Sequence, residues 1–491
     1  MQKCATRRPN IIFLTDDEHR WDFYGGGQVP GLQTPTIDRL KRRGVTLTNA
    51  VSNCPVCMPT RFTWLTGLYG SQSAAGPRNS KDWPHGHPTV AQSLQRAGYH
   101  TALIGKLHSH CGETVSRNHL KDLEKHTHDR GFDDVFECSG RGIYPKKGRP
   151  ECRYTDYLKS KGLYDAMVAD ACTRDHRLGG TNMYSPSIVG VEDHFDNFVG
   201  REMIRWINDY SMDKPFFLHA SFFGPHFPLD PPEPFFSRHR PDDMPPPAGV
   251  EDPERIKFWQ KQRAAYCGLI EFTDYCMGKF LDALEARGLL ENTIIIFASD
   301  HGDMMGDHNM FYKMKPYDAS VRTPFIVCDP ASVLPGGTVL QGLAEAVDIP
   351  ATILAAGSDE HLQDAMPCSP GRSFLEYVRG GAGKHREWAY AEQGNLGEGG
   401  SSWRMVRTAV WKYVFAEKGD MLFNLPLDPF EQRNLVDEPG QQERVKAMRG
   451  LLIQRMGSLL VPPATVTSNV SAKFYKGVAE SILQADQSLP D

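Results

Sequence analysis

The stretch Thr293–Ser299 (TIIIFAS) constrains this chain more than any other. It is apolar without alternation, too short for a helix and rich in β-branched residues, so it predicts a strand buried on both faces. Asn10–Thr15 (NIIFLT) has the same character and stops at Asp16-Asp17. Helical patterns fall between such strands. Thr34–Gly44 predicts a helix with Thr34 as its cap, Pro35 in the first turn and Gly44 as the stop. Thr89–Ala97, Phe195–Tyr210, Ile256–Arg287 and Ile349–Ala356 also read as helices, and Thr101–Gly105, Pro215–Ser221 and Pro324–Cys328 as strands. Strands separated by helices imply an α/β fold, with a large, mostly parallel sheet sandwiched by helices.

The texture changes after about Gly380. Trp403–Thr408, Trp411–Phe415 and Met421–Asn424 predict short strands joined by tight turns, and a helix follows around Gln441–Met456. That pattern is a small α+β module with an antiparallel sheet. The glycine-rich stretch Gly380–Gly383 is the expected boundary, giving a catalytic domain over 1–380 and a C-terminal subdomain and tail over 381–491. Pro225–Pro247 carries nine prolines and predicts a rigid surface loop.

Composition narrows the function. The 491 residues carry 55 Lys+Arg against 60 Asp+Glu, a net charge of −5 without a basic stripe, which argues against a nucleic-acid partner. No apolar run is long enough to span a membrane. The N-terminus meets Asp16-Asp17 too soon to hold a signal-peptide core. Eleven scattered cysteines do not suggest a disulfide scaffold. The expectation is a cytoplasmic enzyme. The tail beyond Leu459 is long enough to reach a partner subunit, a hint of a homo-oligomer.

In an open α/β sheet, ligands sit beyond the carboxyl ends of the strands. Three such ends are polar here: Asp16-Asp17, Lys106-Leu107-His108 and Asp300-His301-Gly302-Asp303. Asp at a strand end often only caps the next helix. Two acidic ends, each directly after a buried strand, favour convergence on one hard divalent cation instead. Between them lies Asn53-Cys54-Pro55-Val56-Cys57-Met58-Pro59-Thr60-Arg61. Its C-x-x-C is compatible with a redox pair or half a zinc site, but no second C-x-x-C completes a zinc ribbon.

The more specific pattern is Cys57-x-Pro59-x-Arg61 followed by Leu65-Thr66-Gly67, which resembles the signature of formylglycine-dependent type I sulfatases. RPNIIFLTDD, TPTIDRLKRRGVTLTNA, GYHTALIGKLH, GPHFP, the segment from IIIFASDHGD to RTPFIV, and the C-terminal run from WRMVRTAVWKYVF to EQRNL also resemble that family. The resemblance covers roughly residues 8–440 and implies an alkaline phosphatase-like fold with sulfate ester hydrolysis.

The resemblance further implies that Cys57 is oxidised to formylglycine by a formylglycine-generating enzyme, a partner expected during maturation. The substrate would be a small-molecule or saccharide sulfate ester. It places Asp16, Asp17, Cys57, Asp300 and His301 around one divalent metal, Ca²⁺ or Mn²⁺. Arg61 would hold the matured residue, Lys106 and Lys313 the sulfate oxygens. His108 would act as base and His226 as acid on the leaving oxygen. Lys315 competes with Lys313, and the spacing to Tyr317-Asp318 in the family favours Lys313. His301 stands where most sulfatases have Asn and is more typical of phosphonate monoester hydrolases and choline-sulfatase-like enzymes. A phosphonate monoester or phosphodiester hydrolase is therefore the rival expectation. His110, His119, His126 and His128 fit no zinc spacing and are expected in a solvated or substrate-facing loop.

Overall fold

The computed structural model describes residues 8–140, 151–174, 183–211, 213–380, 385–397 and 402–459. Its large sheet is built from β1 (Asn10–Asp17), β2 (Val45–Val51), β3 (His100–Gly105), β4 (Asp134–Glu137), β5 (Phe216–Pro225), β6 (Thr293–Ser299), β7 (Arg322–Thr323), β8 (Phe325–Cys328) and β9 (Thr338–Glu345). The strand order is β4-β3-β5-β1-β6-β8-β2-β7, with β9 paired to β2. β1 lies at the centre, parallel to β5 on one side and β6 on the other, which is why both strands read as unbroken apolar runs.

Successive side chains of these strands feed two cores. Ile12 and Leu14 of β1, with Ile295 and Phe297 of β6, face α1 (Pro35–Arg43), α4 (Phe195–Asp209) and α5 (Pro253–Ala286). Ile11 and Phe13, with Ile294 and Ile296, face α2 (Cys57–Thr66), α3 (Val90–Arg96) and α6 (Asp348–Gly357). The period of two thus becomes two apolar layers, one on each face of the sheet. The sheet is mixed rather than wholly parallel: β8 runs antiparallel to β6 and β2, and β7 antiparallel to β2. Between β6 and β8 the chain makes no crossover helix, so it returns in the opposite direction. The proline-rich stretch holds only the short 3₁₀ turns Phe236–Arg238 and Pro241–Asp243.

A second sheet comprises β10 (Trp388–Gln393), β11 (Trp403–Thr408), β12 (Trp411–Ala416) and β13 (Met421–Asn424), antiparallel throughout. β10 is a strand the sequence pattern did not single out. One face packs Tyr390, Val406 and Tyr413 against Met448 and Leu452 of α7 (Gln442–Leu459). The other sets Ala391, Met405 and Val414 against Val51, Val321 and Leu343 beside the large sheet. The expected boundary at Gly380–Gly383 and the tail beyond Leu459 lie wholly or largely outside the described residues. No helix among the described residues is long and apolar enough to cross a membrane.

Candidate active site

The carboxyl ends of β1, β3, β5 and β6 meet the N-terminus of α2. Cys57 is the first residue of that helix, all ten of whose residues are buried. A helix N-terminus presents free N–H groups and positive potential, a setting suited to a nucleophile facing an anion. Ligand atoms of Asp17, Cys57, Asp300 and His301 all lie within 4.8 Å of one another.

Arg61, one turn along α2 and 0% exposed, ties these strand ends together. Its Nε donates to Asp300 Oδ2 (2.9 Å) and its Nη2 to Asp17 Oδ2 (2.9 Å). Nη1 donates to the Lys106 carbonyl (2.6 Å) and Ser221 Oγ (3.0 Å). Asp17 Oδ2 also receives Lys106 Nζ in a short contact. Asp300 Oδ1 accepts the backbone N–H groups of Glu18 (3.1 Å) and His301 (3.0 Å). His301 Nδ1 donates to the Gly302 carbonyl (3.0 Å), which turns its Nε2 towards Cys57 Sγ, 3.2 Å away. Gly105 lets β3 and β5 close at this point: its φ is +110°, and a Cβ there would sit 1.8 Å from the Ser221 carbonyl oxygen.

The charges shift one another. Burial raises the Cys57 thiol, but Lys106, Lys313 and His301 hold it well below the usual thiol range. Burial and Cys57 push the Asp17 carboxyl up, but Lys106, His226 and Arg61 bring it well below its ordinary value. Burial works against a charged His301, and Asp300 with Cys57 still raises it to about 9. Burial and the neighbouring Lys313 lower His226 to about 4. These are the marks of a compact cage of opposite charges. Two carboxylates, a depressed thiol and an imidazole whose Nε2 would give up its proton to a bound ion are a donor set that fits one divalent cation.

Asp16, expected beside Asp17 in that set, is not brought into it. Adjacent strand residues point to opposite faces, and Asp16 Oδ2 instead meets His19 Nδ1 at 2.6 Å. Glu18 is the residue the sequence reading missed. It has a left-handed φ of 69°, and its Oε2 receives Lys313 Nζ at 2.8 Å and lies 3.2 Å from His226 Nε2. The signal was present as a third acid after β1. Lys313 Nζ also reaches His226 Nε2 at 2.8 Å, whereas Lys315 uses its backbone N–H on Ser320 Oγ. His108 is hydrogen-bonded to the Cys57 sulfur. The other histidines do not form a loop cluster. His126 and His128 lie on the helix Leu120–Asp129, and the His110 and His126 rings are tilted to one another with centroids 5.4 Å apart. His119 bonds Asp156 (3.1 Å).

The sulfatase family model matches residues 9–358. The chain belongs to the sulfatase family. This sulfatase is 30% identical to an arylsulfatase of Clostridium perfringens, over 91% of this chain and 94% of the other. It is 28% identical to a multifunctional alkaline phosphatase superfamily protein of Trinickia caryophylli, over 89% and 93%. A phosphonate monoester hydrolase from Silicibacter pomeroyi superposes with a TM-score of 0.77 at 24% identity, covering 92% of this chain and 96% of that one. The mixed sheet with its antiparallel companion is thus the alkaline phosphatase-like architecture, and the enzyme is a sulfuric ester hydrolase.

Proposed function

We propose that this sulfatase cleaves a small-molecule or saccharide sulfate ester at the Asp17–Cys57–Asp300–His301 group, with Cys57 matured to formylglycine and one divalent metal bound. The observation that carries the reading is the convergence of those four ligand atoms within 4.8 Å at the N-terminus of α2. A divalent ion held there supplies positive charge to the sulfate oxygens and the attacking hydroxyl. The imidazole of His301 in the donor set favours Mn²⁺ over Ca²⁺. The hydrated aldehyde at position 57 offers two hydroxyls on one carbon, one to attack sulfur and one to lose its proton as sulfate departs. Because Cys57 is 1% exposed, the formylglycine-generating enzyme would meet Cys57-Met58-Pro59-Thr60-Arg61 before the chain folds.

The surrounding side chains divide the remaining work. Lys106 and Lys313 are the cations for the equatorial sulfate oxygens, where negative charge develops. Arg61 fixes Asp17 and Asp300 and thereby the geometry around position 57. His108, lowered by burial, is neutral at pH 7 and accepts the proton from the second hydroxyl. His226 donates Nδ1–H to the Phe227 carbonyl (2.6 Å), so its Nε2 accepts from Lys313. The acid is therefore the pair: the Lys313 ammonium would give a proton directly to the departing oxygen, and His226 Nε2, accepting another of its N–H groups, aims it there.

A second reading, hydrolysis of phosphonate monoesters or phosphodiesters, is favoured by His301 and by the shared tetrahedral geometry of sulfate and phosphoryl centres. Aryl esters of sulfate, of a phosphodiester and of a phosphonate, each assayed with Ca²⁺ and with Mn²⁺, separate the two. The expected result is the highest kcat/KM for the sulfate ester, with Mn²⁺. A higher kcat/KM for either phosphorus ester would replace the first reading with the second.

A further inference from the structure

The segment that carries Lys313 is strained on both sides of it. Tyr312 and Met314 hold left-handed φ angles of 63° and 69°, a conformation that residues other than glycine keep only where their surroundings enforce it. On the catalytic side, the Met314 N–H donates to the Pro55 carbonyl (3.0 Å), just ahead of Cys57, and the Tyr312 carbonyl accepts from Met304 N–H (2.9 Å). Further restraints come from the second sheet. Trp403 of β11 donates its indole Nε1–H to the Met314 carbonyl (3.1 Å). Lys412 of β12, 0% exposed, donates to the Pro316 carbonyl (3.0 Å) and pairs with Glu431 (2.6 Å) and Asp318. Arg407 of β11 also reaches Asp318, at 3.1 Å. Three consecutive features of the segment, the Met314 and Pro316 carbonyls and the Asp318 carboxylate, are thus gripped by buried side chains from outside the catalytic sheet.

We propose that Trp403 and Lys412 are positioning residues for Lys313, so that the second sheet acts as a clamp keeping the Lys313 ammonium at Glu18 and His226. The inference rests on the proposed catalytic role of Lys313. A carbonyl gripped one residue beyond Lys313 fixes the peptide whose neighbour carries the ammonium. Releasing it lets Met314 relax towards an ordinary φ and carries Lys313 Nζ away from its partners. The indole N–H of Trp403 is spent on the Met314 carbonyl, so its effect on rate passes through Lys313.

A double-mutant cycle on the matured, metal-loaded full chain tests this with 4-nitrophenyl sulfate. Trp403→Phe keeps an aromatic ring while removing the donor and some of the buried bulk of a side chain 3% exposed. It should lower kcat/KM about three- to tenfold, the worth of one hydrogen bond, with metal content unchanged and Tm lowered. Introduced into Lys313→Ala, the same change should cost nothing further. An equal loss in both backgrounds, or no loss in the first, overturns the clamp while leaving the role of Lys313 intact. A Lys313→Ala enzyme working at the wild-type rate refutes the catalytic reading of Lys313 and the clamp with it. Should Trp403→Phe fail to fold, Trp403→Tyr, whose hydroxyl cannot reproduce the indole N–H at that carbonyl, runs the same cycle.

Discussion

Replacing Arg61 with Met removes a side chain that joins four strand ends. The guanidinium is fully buried and makes four hydrogen bonds, two of them to the carboxylates of Asp17 and Asp300. Removing one partner of a buried ion pair costs about 3–5 kcal/mol, because the carboxylates left behind remain desolvated. The hydrogen bonds give an independent figure: two charged bonds at about 1.5–3 kcal/mol each, less about 1–2 kcal/mol for burying the Met side chain. The first route centres on about 4 kcal/mol and the second on about 3 kcal/mol. Urea unfolding in excess chelator measures it, provided circular dichroism and fluorescence transitions coincide before a free energy is taken. Saturating Mn²⁺ should narrow the deficit, since the ion brings positive charge to the same two carboxylates. A loss below about 1 kcal/mol, or one that metal leaves unchanged, would refute the view that Arg61 neutralises a shared carboxylate cage.

Other perturbations report on different parts of the account. Glu137 is raised by burial from 4.5 to about 7 despite its bond from Thr127; the folded state keeps a proton that the unfolded state releases, so stability falls as pH rises from 4.5 through 7. Glu137→Gln should therefore unfold at a higher temperature than the wild type at pH 8, the gap closing below pH 4.5, as Tm against pH will record. Gly105→Ala places a methyl 1.8 Å from the Ser221 carbonyl oxygen and should yield little soluble protein, read by expression and Tm beside wild type. His226→Ala should slow an alkyl sulfate by about 10²–10⁴-fold and 4-nitrophenyl sulfate far less, because a stable phenolate leaves without a proton; equal losses in single-turnover kinetics would remove His226 from proton transfer.

Much of this architecture was legible in the sequence, and the exceptions have physical reasons. Thr293–Ser299 and Asn10–Thr15 were plain because central strands, covered on both faces, read as near-continuous apolar runs. Helix α2 left no periodic trace, since a helix buried all round has no polar face to alternate with. Its Cys57 was found through a motif resemblance instead. β9, with its first five residues only partly buried or exposed, offered neither a continuous run nor a clean alternation. Within the site, Asp17, Cys57, Asp300 and His301 were anticipated from strand ends and motif, and the geometry brings them together. Asp16 was not told apart from Asp17, and Glu18 was passed over, because adjacency along a strand end says nothing about which side chain turns into the site. The grip of Trp403 and Lys412 on the Lys313 segment joins residues about 90 positions apart, a relation that no local pattern encodes.

The central claim is that chemistry runs through a matured Cys57, and one measurement addresses it directly. Preparations made with graded amounts of the formylglycine-generating enzyme are digested, and the peptide containing Cys57-Met58-Pro59-Thr60-Arg61 is quantified by mass spectrometry as thiol or aldehyde. Sulfatase activity of each preparation is plotted against its aldehyde fraction. The account predicts a straight line through the origin. Full activity in a preparation whose position 57 is entirely unmodified cysteine would contradict it.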